Sequence, residues 1–137
     1  MYKYSKELPI SDAECFEALI EVSIAEIEHK TGKKVTRETI MSGYKYPSKK
    51  RYGRRIIDAK VHIKKPVLNR RFETSYSFEN KTIEMTYVIT PIDETHIKLE
   101  YIQDNGPDEI RGLAKFLTDR NMNKRFKGIA KYVLTRQ

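Results

Sequence analysis

The residues with the clearest chemical potential in this 137-residue chain are cations spaced among tyrosines. Residues 44–55 read Tyr-Lys-Tyr-Pro-Ser-Lys-Lys-Arg-Tyr-Gly-Arg-Arg, six Lys/Arg and three Tyr in twelve positions. Cations suit phosphates and ring faces suit bases, the combination found in single-stranded nucleic-acid binders. Lys49, Lys50, Arg51, Arg54 and Arg55 are the candidate anion contacts here. A solvated hairpin with basic tips has the same composition. A second basic feature, Arg120, Lys124, Lys127 and Lys131, recurs at i, i+4, i+7 and i+11. On a helix these residues form a narrow stripe opposite Phe126, Ile129 and Val133. Such a helix can lie on an anionic membrane or meet an acidic partner. It equally makes the wet face of a helix packed on a sheet.

A third group is aromatic. Tyr76, Tyr87 and Tyr101 fall at inward positions of three expected strands, with Thr74 and Gln103 on the same face. A buried tyrosine needs a partner for its hydroxyl. Several such hydroxyls under a helix make a mostly apolar cavity with a few polar anchors, the usual composition of a small-molecule site. A filled core with tyrosines at its rim is the alternative. Other chemistry finds little support. His29, His62 and His96 lack metal-site spacing, and Cys15 sits beside an apolar helical stripe as a small hydrophobe would. The chain has no nucleophile elbow, phosphate loop or dinucleotide fingerprint. No catalytic residue, metal ligand or cofactor is therefore assigned.

These residues must be positioned by elements that the periodicity reveals. Residues 2–10 read as a strand ending near Pro9. Ser11-Asp12-Ala13-Glu14 is a capping box that opens a helix, and Thr31-Gly32 closes it. Thr36 caps a short second helix that ends before Gly43. The period then becomes two. Residues 55–65, 71–79, 82–90 and 95–103 each alternate apolar with polar, the mark of an antiparallel sheet with one buried face. Asn80-Lys81 is expected to be a two-residue hairpin connection, and Pro91 to Glu94 a turn. Pro107, Asp108 and Glu109 suit the start of a last helix. Its apolar residues form two sets, Ile110, Leu113, Ala114 and Leu117, then Met122, Phe126, Ile129, Ala130 and Val133. The sets are rotated by roughly 150° from each other, which predicts a break or kink between Thr118 and Asn121.

Strand, two helices, antiparallel strands and a long terminal helix make an α+β order, a curved sheet of about six strands around the C-terminal helix, which resembles the helix-grip fold. The opening, Tyr4-Ser5-Lys6-Glu7-Leu8-Pro9-Ile10-Ser11-Asp12-Ala13-Glu14-Cys15-Phe16, resembles that of the START-like, SRPBCC superfamily, which includes birch-pollen-allergen-like proteins. Thr31-Gly32-Lys33, Ser42-Gly43-Tyr44-Lys45-Tyr46, the basic stretch to Arg55 and the basic last helix are similar to a small Gram-positive bacterial family known only as a domain of unknown function. The resemblance implies an apolar or amphipathic ligand held between sheet and terminal helix.

Composition bounds the rest. The net charge is +8, with 39% hydrophobic residues and one Cys. One domain over residues 1–137 is expected, without a disulfide framework. The N-terminal residues lack the apolar stretch of a signal peptide and no run spans a membrane, so a cytoplasmic location is expected. The charge is blocked: residues 30–71 carry 15 Lys/Arg against Glu38 and Asp58, while residues 72–108 carry eight acids against Lys81 and Lys98. Blocks of opposite sign can neutralise each other in a fold. The expectation is thus a non-enzymatic module for a small amphipathic ligand, with Tyr76, Tyr87 and Tyr101 orienting its polar atoms and Met122 and Phe126 closing the top. The alternative is a basic-surface module for nucleic acid or another anionic partner, through residues 44–55 and 120–131. Oligomeric state is left open.

Overall fold

The computed structural model of the chain describes residues 1–106 and 112–135, the side chains of Lys50 and Tyr52 excepted. The element order is β1 (Tyr2–Leu8), α1 (Asp12–Thr31), α2 (Arg37–Met41), β2 (Tyr44–Tyr52), β3 (Arg55–Ile63), β4 (Arg71–Phe78), β5 (Lys81–Pro91), β6 (Ile97–Asp104) and α3 (Gly112–Thr135). The strands form one antiparallel sheet in the order β1-β6-β5-β4-β3-β2. β1 is an edge, consistent with Pro9 at its end, and its register sets Tyr2 opposite Gln103 and Leu8 opposite Ile97.

Local chemistry sets the helix ends. The Ser11 hydroxyl accepts from the Glu14 amide, and the Glu14 carboxylate accepts from the Ser11 amide. Gly32 stops α1 in the left-handed region at φ 73°, donating its amide to the Glu28 carbonyl. The Thr36 side chain caps α2. β3 and β6 bury alternate residues, whereas β4 buries Phe72, Ser75 and Phe78 and β5 buries Ile89. Ile63, Phe72, Ile89, Leu99 and Tyr101 face α1 and α3, whose Phe16, Ile20, Ile27, Met122 and Phe126 complete the core.

Two expectations are corrected. The β4–β5 connection is Glu79-Asn80, one residue earlier than Asn80-Lys81, because Phe78 pairs with Lys81. Both loop residues have positive φ, 44° and 64°, the backbone of a hairpin turn whose twist matches the strands. Phe78 must stay on the buried face, and this register keeps it there. The second correction concerns α3, which runs without a break through Thr118–Asn121. Among the described residues only the later apolar set is buried, and Ile110 of the earlier set lies outside them. Leu113, Phe116 and Leu117 stay 72%, 62% and 47% exposed. The rotation between the two sets is real, and exposure rather than a kink absorbs it. Pro107 and the first acidic turn lie outside the described residues.

Hydroxyls of the first strand bind the last helix. Tyr2 donates to Asp119 at 2.5 Å and Tyr4 to Asn123 at 3.0 Å, while Lys6 donates to the same Asn123 oxygen at 2.7 Å. Tyr4 also meets Phe126 edge-on at 5.0 Å. These contacts fix how α3 sits over the sheet.

Candidate ligand-binding site

Between α1, α3 and the concave face of the sheet lies a cavity of about 500 Å³. Sequence spacing explains its walls. In α1, Ala18, Val22 and Glu26 recur every four residues and present one face to it. In α3, Arg125, Gly128, Ile129 and Tyr132 do the same at intervals of three, one and three. The sheet contributes Tyr46, Ile63, Phe72, Thr74, Tyr76, Met85, Tyr87 and Tyr101, all from inward positions of their strands. Val22 and Tyr132 are solvent-exposed, which puts the mouth between α1 and α3.

The cavity is apolar with polar groups at defined points. Tyr76 donates to Glu26 at 3.4 Å, and Arg125 donates to the Tyr87 hydroxyl at 3.4 Å. Tyr101 donates to Gln103 at 2.6 Å, and Gln103 in turn donates to Asn105. Tyr132, at the mouth, donates to Glu21. Tyr87 and Tyr101 rings pack 5.2 Å apart. Burial pushes the Tyr101 hydroxyl up to about 12, and burial with the Glu26 charge does the same to Tyr76. Burial likewise raises Tyr87. Arg125 is exposed at the mouth, and partial desolvation opposes its charge, but the facing Tyr87, Tyr101 and Glu26 raise its guanidinium above the ordinary value. It has no carboxylate within ion-pair distance among the described residues.

The structure brings Tyr76, Tyr87 and Tyr101 together on this cavity. Met122 and Phe126 sit elsewhere, in the packed core between α3 and β1, where Phe126 touches Tyr4 and Tyr87. Arg125, Glu26 and Tyr132 were not singled out from the sequence, and Tyr46 was singled out only as a ring of the basic stretch 44–55. Arg125 had a readable signal, a cation four residues before Ile129 and three after Met122, on the flank of the buried stripe. Tyr132 lies seven residues on, in line with it.

The two basic features do not meet. β2 and β3 form the edge of the sheet opposite β1, whereas α3 packs on β1 and α1. Lys49, Arg51, Arg54 and Arg55 are exposed, and the Lys50 side chain lies outside the described residues. Arg55 donates to Glu79 at 3.0 Å. Arg120, Lys124, Lys127 and Lys131 are exposed along α3. Cys15 is buried, and burial pushes its thiol up to about 12. Among the described residues no group of three or more His, Cys, Asp or Glu is placed to hold a metal ion. No described helix is long and apolar enough to cross a membrane.

Residues 2–115 match the family model for "Domain of unknown function (DUF3284)". No curated protein matches the sequence. Solved structures share the fold at low identity. A START superfamily protein from Mycobacterium smegmatis is 13% identical, with a TM-score of 0.59 over 99% of this chain and 98% of that one. Ara h 8.0201 is 12% identical, with a TM-score of 0.60 over 98% and 97%. The Zhui aromatase/cyclase from Streptomyces sp. R1128 is 10% identical, with a TM-score of 0.53 over 98% and 91%. These similarities establish a START-like, helix-grip fold.

Proposed function

Since the chain belongs to the DUF3284 family and folds as a START-like domain, we propose that it binds a small amphipathic molecule in the cavity between α1, α3 and the sheet. One observation carries the reading: about 500 Å³ of mostly apolar space with a cation and several hydroxyls converging on it. That volume lies within the range of about 300–1,000 Å³ typical of small-molecule sites. Burial of apolar ligand surface drives binding. Arg125 orients an acceptor group of the ligand, since its only described partners are tyrosine hydroxyls. Tyr76, Tyr87 and Tyr101 stay neutral at physiological pH, so they act as hydrogen-bond groups and not as bases. This favours binding over proton-transfer chemistry.

Native mass spectrometry of freshly purified protein tests the reading, followed by titration of the apo protein with oleate. A co-purified mass or saturable 1:1 oleate binding is expected. Ser23→Phe, which fills the cavity from α1, abolishes either one while the protein stays folded. Arg125→Gln weakens oleate binding roughly 10-fold or more, the loss of one charge-assisted hydrogen bond. A bare apo mass together with no oleate binding overturns the proposal.

A further inference from the structure

A second recess lies on the same concave face, beyond the C-terminal end of α1. Its volume is about 1,080 Å³, and it runs from the end of α1 across β2 and β3 to the β4–β5 turn. Tyr46, Ser48, Ala59 and Phe78 are the buried members of its lining, and Tyr44 stacks on Tyr46 at 6.0 Å. Tyr46 also lines the cavity under α3, so it is the wall shared by the two spaces.

Three observations mark this recess as more than a gap in packing. First, Ser48 is only 7% exposed, and its buried hydroxyl has no hydrogen-bond partner in the described protein. A native fold seldom leaves such a group unsatisfied, and each case calls for a reason. Second, the lining holds six lysines against two carboxylates, Asp58 and Glu79. Glu79 is already engaged by Arg55 at 3.0 Å. None of the six lysines, among them Lys30, Lys33 and Lys81, is in a described ion pair. Third, the floor is apolar: Ala59 and Phe78 belong to a small cluster with Ile57, separate from the main core. An apolar floor under a cationic rim is complementary to an organic anion with an apolar body.

We infer that this recess is a second binding site, for an organic anion with an apolar body seated on Tyr46 and Phe78. Its charged end is met by Lys30, Lys33 and Lys81, and one of its acceptor atoms is met by the Ser48 hydroxyl. The site is separate from the cavity under α3, and either can bind without the other.

Site-resolved titration separates the two. The probe is 1-naphthyl phosphate, read by backbone amide shifts in two-dimensional NMR, with inorganic phosphate and neutral 1-naphthalenemethanol as controls. Saturable shifts are expected at residues 30–33, 46–48 and 78–82. Affinity falls about 10-fold or more in Lys30→Gln/Lys81→Gln, and also falls in Ser48→Val. Each variant keeps the unliganded spectrum elsewhere. Inorganic phosphate alone gives no saturable shifts, because it lacks the apolar body. Shifts confined to residues 18–26 and 125–132 place the probe in the other cavity and overturn this inference while supporting that one. Equal binding by the lysine variant, or saturation by inorganic phosphate alone, also overturns it.

Discussion

At the scale of single residues, Phe126 ties the last helix to two strands. It is fully buried and touches Tyr4 from β1 and Tyr87 from β5. The sequence showed its inward face but placed it at a ligand. Its role as the joint between α3 and β1 depends on which strand lies beside the helix, and helical spacing does not encode that. Phe126→Ala should cost about 3–5 kcal/mol in urea unfolding, the usual loss for a deleted core ring. A loss under 1 kcal/mol would show that α3 is not anchored there. Arg125, its neighbour, teaches the reverse. Hydropathy classes it with the solvent-facing cations, and it is exposed, yet its guanidinium donates to the Tyr87 hydroxyl. A long side chain on the flank of a buried stripe can turn either way, and only the neighbouring hydroxyls decide.

At the scale of elements, the strands were legible because period-two alternation survives any detail of packing. Inward residues such as Ile63, Phe72, Ile89 and Leu99 are all buried. The caps at Ser11, Gly32 and Thr36 were legible because their hydrogen bonds are local. The connection at Glu79-Asn80 was misplaced by one residue, since Glu79 continued the alternation of β4. The course of α3 was misjudged for a different reason. An apolar run predicts burial only if some surface is there to cover it, and the first turns of α3 meet none among the described residues. Leu113→Ser and Phe116→Ser should therefore each change stability by less than about 0.5 kcal/mol. A loss of 2 kcal/mol or more at either site, measured in the same unfolding experiment, would mean that these turns are packed in solution.

At the scale of the whole molecule, the blocked charge is resolved only in part, by pairing of a few cations of residues 30–71 with acids on either side. Arg37 meets Glu17, Arg70 meets Asp12, Arg55 meets Glu79, and Lys64 meets both Glu73 and Glu84. In each pair the cation comes from residues 30–71 and the acid from a flanking acidic block. Exposed pairs of this kind are individually weak, but their acids respond together to pH. Asp12, bonded by Arg70, and Asp119, bonded by Tyr2 and Lys115, are both held below the ordinary carboxylate range. Glu73 is lowered as well, where Arg71 and Lys64 outweigh its partial burial. A carboxylate whose folded value is depressed adds stability above its unfolded value of about 4. That stability is lost as pH falls through the folded value. The melting temperature should therefore hold between pH 7 and 5 and drop steadily below pH 4. Tyr2→Phe, which removes one bond to Asp119, should flatten part of that drop. A melting temperature that rises on acidification would contradict the assignment.

The strand order has a consequence for how the protein is made. β1 bonds only to β6, Tyr2 to Gln103 at one end and Leu8 to Ile97 at the other. A ribosome adds about 5–20 residues each second, so β1 leaves the exit tunnel several seconds before its only partner exists. During that interval Tyr2, Leu8 and the apolar face of α1 have no sheet to cover them. Closing so long a loop is slow for any chain dominated by distant contacts. The last strand and the last helix therefore complete the fold together, and the nascent chain must stay soluble until they arrive. The first 29 residues, with two lysines against seven acids, give the waiting segment a net negative charge, and net charge favours solubility.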